Sequence, residues 1–205
     1  MLDPILIMAT PRSGSSMTAG IIAKHGVWTG QVRPGEGRNP KGFFENRAIR
    51  DLIREHNGAL VQKGRVAEPI PGWRAKVEAA MLAEGYPGGP WMWKGSAIYW
   101  RAWFEYPNPT WIVCRRDKDA TLRSLQKPPF ALGNVGMERH AELIDLHHRQ
   151  LDILVAEHGA VEVDTQAVAM GDFASIQRAV EHCGLRFDRD LTDDFVDRDQ
   201  WHHVA

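Results

Sequence analysis

Two cysteines in 205 residues leave no disulfide framework to build on. Cys114 lies inside an apolar run and Cys183 stands before a glycine at the end of a helical stretch, a setting that suits reduced, structural thiols and a cytoplasmic chain. Charge of one sign is missing too. With 25 Lys and Arg against 26 Asp and Glu the formal net charge is −1, so no global basic field gathers nucleic acid, and any anion binding has to be local. Long apolar runs are absent: the N-terminal one spans about five residues, short of a signal-peptide core and of the roughly 20 that cross a bilayer. No membrane partner is expected. The nine histidines include no HExxH and no Cys/His set with ligand spacing, and His147-His148 and His202-His203 are adjacent pairs whose side chains diverge, so no metal is expected. There is no internal repeat and no low-complexity tract, and the length suits a single domain over 1–205.

What is present begins at once. The apolar run Ile5-Leu6-Ile7-Met8-Ala9 is followed by Pro11-Arg12-Ser13-Gly14-Ser15-Ser16 and then a helix-like stretch, which reads as strand, phosphate-sized loop, helix. Backbone N–H groups at a helix start are unpaired and the helix dipole adds positive charge there, so the loop is an anion site. It is not an ATP or GTP loop of the usual kind, because Ala9 holds the first Gly position and Ser15 the Lys position. The cation is Arg12.

Three further apolar segments read as buried parallel strands: Trp91-Met92-Trp93, Trp111 to Cys114 and Val161-Glu162-Val163. Helical patterns run over Ser16 to His25, Asn46 to Asn57, Trp73 to Glu84, Ala120 to Gln126, Met137 to His158 and Phe173 to His182. Alternation of this kind predicts a doubly wound α/β fold with a mostly parallel sheet flanked by helices, and a ligand at the carboxyl ends of the strands. Breakers cluster at Gly26 to Gly42, Gly64 to Gly72, Pro87 to Pro90 and Lys127 to Gly136, the candidate lids and pocket walls. The eight tryptophans are expected mostly in the core, with some lining a small-molecule pocket.

The Arg12 loop resembles the 5′-phosphosulfate loop of the PAPS-dependent sulfotransferases, in which Lys or Arg precedes Ser-Gly-Ser/Thr-Ser/Thr after the first strand. A second segment extends the resemblance: Trp111-Ile112-Val113-Cys114 leads into Arg115-Arg116-Asp117-Lys118-Asp119, and Ser124 follows Arg116 by eight positions. In that family a strand-end Arg and a Ser at this spacing hold the nucleotide's 3′-phosphate. Asn39-Pro40-Lys41-Gly42-Phe43-Phe44-Glu45-Asn46 is similar to a segment of bacterial members. The resemblance implies a small bacterial or phage-type member with a P-loop-type fold. It would transfer a sulfuryl group from PAPS to a hydroxyl or amine of a small-molecule or carbohydrate acceptor, leave 3′,5′-ADP, and need no metal.

It also implies roles. Arg12 stabilises charge on the departing nucleotide, Ser13, Gly14, Ser15 and Ser16 supply donors to the 5′-phosphate, and Arg116 with Ser124 holds the 3′-phosphate. Arg115 is the alternative to Arg116, and Arg38 or Arg198 a further phosphate contact. Lys94 stands where cytosolic sulfotransferases carry Lys-Thr-His. Lys94-Gly95-Ser96 keeps the cation and lacks the His, and Ser96 without a partner base cannot accept a proton usefully. Glu45, beside two aromatics that exclude water, is the candidate base, with Glu36 as competitor. Two other readings stay open: a small P-loop ATP-dependent kinase or phosphotransferase, for which Asp164 is a weak Mg²⁺ ligand, and a catalytically inactive module that binds 3′,5′-ADP.

Overall fold

The structure is a computed structural model that describes residues 1–36, 39–126 and 136–197, except the side chain of Met137. β1 (Ile5–Ala9) has no polar side chain and is buried along its whole length, the behaviour of a central strand covered on both faces. β2 (Met92–Ser96) and β3 (Thr110–Cys114) flank it, and β4 (Val161–Val163) lies beyond β3, giving a four-stranded, all-parallel sheet in the order β2-β1-β3-β4. In register, Ser96 and Cys114 stand on either side of Ala9.

Helices flank this sheet as the α/β reading predicts. They are α1 (Ser15–Lys24), α2 (Arg47–Gln62), α3 (Trp73–Ala83), α4 (Lys118–Leu125), α5 (Met137–His158), α6 (Thr165–Ala169), α7 (Ala174–His182) and α8 (Arg189–Phe195), with a 3₁₀ helix at Ala97–Trp103. Strand alternation divides the core in two. Leu6, Met8, Trp93 and Val113 pack with Ile53, Trp73, Trp103 and Leu151 on one face; Ile5, Ile7, Met92 and Ile112 pack with Ile22, Val168, Ile176 and Phe195 on the other. Six of the tryptophans (Trp73, Trp91, Trp93, Trp100, Trp103, Trp111) are buried core. Among the described residues no helix is long and apolar enough to cross a membrane.

After β1 the chain moves outward to β2, then returns past β1 to form β3. The loops that leave the carboxyl ends of β1 and β3 therefore diverge and open a crevice, where ligands of such sheets bind. Among the described residues, four helices are entered through an aspartate or asparagine whose side chain accepts a backbone N–H of the first turn: Asn46 before α2, Asp117 before α4, Asp164 before α6 and Asp188 before α8.

Several boundaries differ from the sequence reading. β2 continues past Trp93 to Ser96, so Lys94 lies inside the strand and opposite Ile7. Gly95 permits this: a Cβ there would fall 2.0 Å from the Trp93 ring. α2 runs past Asn57, its expected end, to Gln62, and Asn57 is turned inward and clamps Glu68, accepting its N–H at 2.8 Å and donating to its carbonyl at 3.2 Å. The 3₁₀ helix, α6 and α8 were not foreseen.

Candidate functional site

The loop after β1 is held in an unusual shape. Arg12 has φ 61 and Gly14, the residue before α1, has φ 78, so two positions in the left-handed region turn the chain into the helix. A non-glycine residue in that region costs strain and persists where its surroundings fix it. The fixing contacts are visible: Ser13 is fully buried, its hydroxyl donates to the Thr10 carbonyl at 2.8 Å, and its own carbonyl accepts from Thr165 Oγ1 at 2.7 Å. The sequence reading expected both backbone and hydroxyl donors from Ser13; its hydroxyl is instead committed to the Thr10 carbonyl. No side chain caps α1.

Arg12 and the segment after β3 meet directly. Arg12 Nε donates to Ser124 Oγ at 3.1 Å and Arg116 Nη1 donates to the Arg12 carbonyl at 3.3 Å. Two guanidinium groups and a hydroxyl, from residues far apart in the chain, therefore gather over the crevice. Burial and the neighbouring Arg123 press the Arg116 pKa down, and Asp117 opposes them. Two buried hydroxyls nearby in the chain, Thr10 Oγ1 and Thr121 Oγ1, have no hydrogen-bond partner. Arg115 turns the other way, with Nη1 2.6 Å from Asp152 and Nε 2.8 Å from Glu162. Of the two arginines, Arg116 is the one placed with Arg12 and Ser124.

A second group lies at the carboxyl end of β2. Lys94 is 5% exposed, and its ammonium contacts Glu45 Oε1 at 2.9 Å and Ser16 Oγ at 3.3 Å. A surface lysine lying over the core is thereby ruled out. Ser16 Oγ in turn donates to the Phe43 carbonyl at 3.5 Å, tying the start of α1 to the loop that carries Glu45. Phe44, at φ 55, packs edge-on to Phe195, and both rings crowd Gly20 of α1, where a Cβ would lie 2.1 Å from Phe195 Cζ and 2.9 Å from Phe44. The other aromatic, Phe43, lies under the Arg33 guanidinium. Half-buried Tyr99 has its hydroxyl bonded to Arg54 and its pKa raised by burial. Glu36, the competing base, is ion-paired with Arg33 at the surface.

Ser96 does have a partner base. Its Oγ lies 2.6 Å from His147 Nε2, and His147 Nδ1 lies 2.7 Å from the Leu143 carbonyl. His147 is 2% exposed, and burial lowers its pKa. The earlier dismissal of Ser96 rested on the absence of such a partner and is corrected. A signal existed: His140, Ile144, His147, Leu151 and Leu154 form the inward stripe of α5, and a histidine on a core stripe needs a polar partner.

Ser15 begins α1 half-buried, beside the loop. Asp164 caps α6 by accepting the Ala167 N–H at 2.9 Å. Arg38, Arg198, the His202-His203 pair and most of the Lys127 to Gly136 breaker segment lie outside the described residues. An open depression lined by Phe104, Tyr106, Pro109, Trp111 and His158 lies at the opposite, amino-terminal edge of β3, away from these groups. Compared with protein-family models, with curated proteins and with solved structures, the chain matches none.

Proposed function

We propose that this chain is a PAPS-dependent sulfotransferase with a P-loop-type nucleotide site. The observation that carries the reading is the joining of its two anion-binding segments, Arg12 to Ser124 and Arg116 to Arg12, at the switch crevice of a parallel sheet. A nucleotide with phosphates at both its 3′ and 5′ positions has the charge that such a double cradle suits. The N–H groups at the start of α1 would receive the 5′-phosphate, with Gly14 letting the backbone come close, while Arg116 and Ser124 would receive the 3′-phosphate.

In sulfuryl transfer the bond from sulfur to the bridging oxygen breaks and the nucleotide leaves with the electron pair. Arg12 and Lys94 are the cations for the charge that grows on that oxygen and on the sulfuryl group, an effect worth about 3–4 kcal/mol for a well-placed donor. Glu45 aims Lys94 through their ion pair. Two groups in the crevice can take the acceptor's proton: the Glu45 carboxylate, and His147 through Ser96. The acceptor is a hydroxyl or amine of a small molecule or carbohydrate.

Melting temperature with 3′,5′-ADP, ADP and ATP tests the reading, since a ligand that binds only the native state stabilises it by mass action. A much larger shift with 3′,5′-ADP is expected. Equal or larger shifts with ATP, dependent on Mg²⁺, would favour an ATP-dependent phosphotransferase; a 3′,5′-ADP shift without turnover of PAPS would favour a binding module.

A further inference from the structure

We infer that, given sulfuryl transfer in this crevice, the acceptor's proton leaves through Ser96 to His147. Ser96 is half-buried at the carboxyl end of β2, two residues after Lys94. Its hydroxyl bonds to His147, and the residue as a whole keeps part of its surface exposed.

The direction of that bond follows from the third group. The Leu143 carbonyl can only accept, so His147 Nδ1 carries the ring proton toward it and Nε2 presents a lone pair. Ser96 therefore donates to Nε2, and its own oxygen lone pairs face away from the imidazole. This is the arrangement of a hydroxyl held by a base that is itself oriented by a third group. Burial favours the neutral ring further, as does the neighbouring His148, so His147 begins the cycle able to accept.

Glu45 is committed elsewhere. Its Oε1 balances the ammonium of Lys94, which is 5% exposed, and protonating Glu45 would leave that buried cation without its counter-ion. The relay avoids this. As the acceptor oxygen bonds to sulfur, its proton moves to Ser96 Oγ, the Ser96 proton moves to His147 Nε2, and the sulfur–oxygen bond to 3′,5′-ADP breaks with the electron pair on the nucleotide. The imidazolium then returns its proton through Ser96 to water when the products leave, and no other reactant is needed. Ser96 touches the acceptor, and His147 acts through Ser96.

The test follows formation of 3′,5′-ADP from PAPS, with water and a panel of simple alcohols as acceptors, for wild type, Ser96→Ala, His147→Gln and Glu45→Gln. Ser96→Ala should fold, because the Ser96 hydroxyl caps no backbone group of the 3₁₀ helix. Expected are losses of about 10²–10³ in rate for Ser96→Ala and His147→Gln, a smaller loss for Glu45→Gln, and an unchanged melting shift with 3′,5′-ADP in all three. The wild-type rate should also fall along a bowed line across H₂O/D₂O mixtures, because two protons move in one step, a signature that a merely structural His147 would not produce. Wild-type turnover in Ser96→Ala, or a straight isotope line with the main loss in Glu45→Gln, overturns the relay while leaving the sulfotransferase reading in place. If His147→Gln does not fold, Ser96→Ala and the isotope line decide alone. Absence of any 3′,5′-ADP shift in wild type overturns the sulfotransferase reading itself, and the relay with it.

Discussion

Arg12 Nε reaches Ser124 Oγ at 3.1 Å across 112 positions of sequence, so the loop after the first strand and the helix after the third form one charged surface. Neither residue then acts alone. Arg12→Ala and Ser124→Ala should each weaken 3′,5′-ADP, and the double variant should lose less than the sum, with a coupling of about 0.5–3 kcal/mol in a titration cycle. Additive losses would mean that the bond opens before the nucleotide binds.

Arg116→Ala should weaken 3′,5′-ADP by about 1.5–3 kcal/mol, the cost of a lost charged hydrogen bond, and 5′-AMP far less. Calorimetric titration of both nucleotides checks this. Equal losses would reassign Arg116 to support of the Arg12 carbonyl, its partner in the free protein.

Acid should destabilise the fold through His147. Burial lowers its pKa in the native state, so the unfolded chain, with an ordinary value of 6.5, binds the proton more readily. The stability this neutral ring contributes is complete above that value and is lost as pH falls toward the lower native one. Melting temperatures of wild type and His147→Gln between about pH 5 and about pH 8 should therefore converge on the acid side. Parallel curves would show that the ring is not held neutral.

Gly20→Ala should destabilise the protein by about 1–3 kcal/mol, the usual cost of overpacking. A Cβ there meets Phe195 at 2.1 Å and Phe44 at 2.9 Å, and the loop that carries Glu45 would have to shift. Chemical denaturation measures the loss. A companion drop in PAPS turnover would show that the Phe44 contact sets the position of Glu45.

The elements visible from sequence are those with a strong local signature. β1 is a short apolar run followed by its loop, and α5 follows its pattern from Met137 to His158 as expected. Short elements carry too few residues for periodicity to emerge: α6 spans five residues, and its clearest mark is the Asp164 cap. The strand was expected to end at Trp93 and the helix at Asn57; both run on, Gly95 leaving room for the Trp93 ring and Asn57 clamping Glu68. The pairing of Ser96 with His147 spans 51 positions and belongs to no spacing rule, so only the packing of α5 against the sheet discloses it.

The bond from Thr165 to the Ser13 carbonyl joins residues 152 positions apart. During synthesis β1 and the start of α1 are made well before Thr165, so the Ser13 carbonyl stays without this partner until the intervening residues have followed. Closing so long a loop is a late and entropically costly event. A chain that ends before Thr165 would hold the whole Arg12 loop sequence without the contact that fixes its turn.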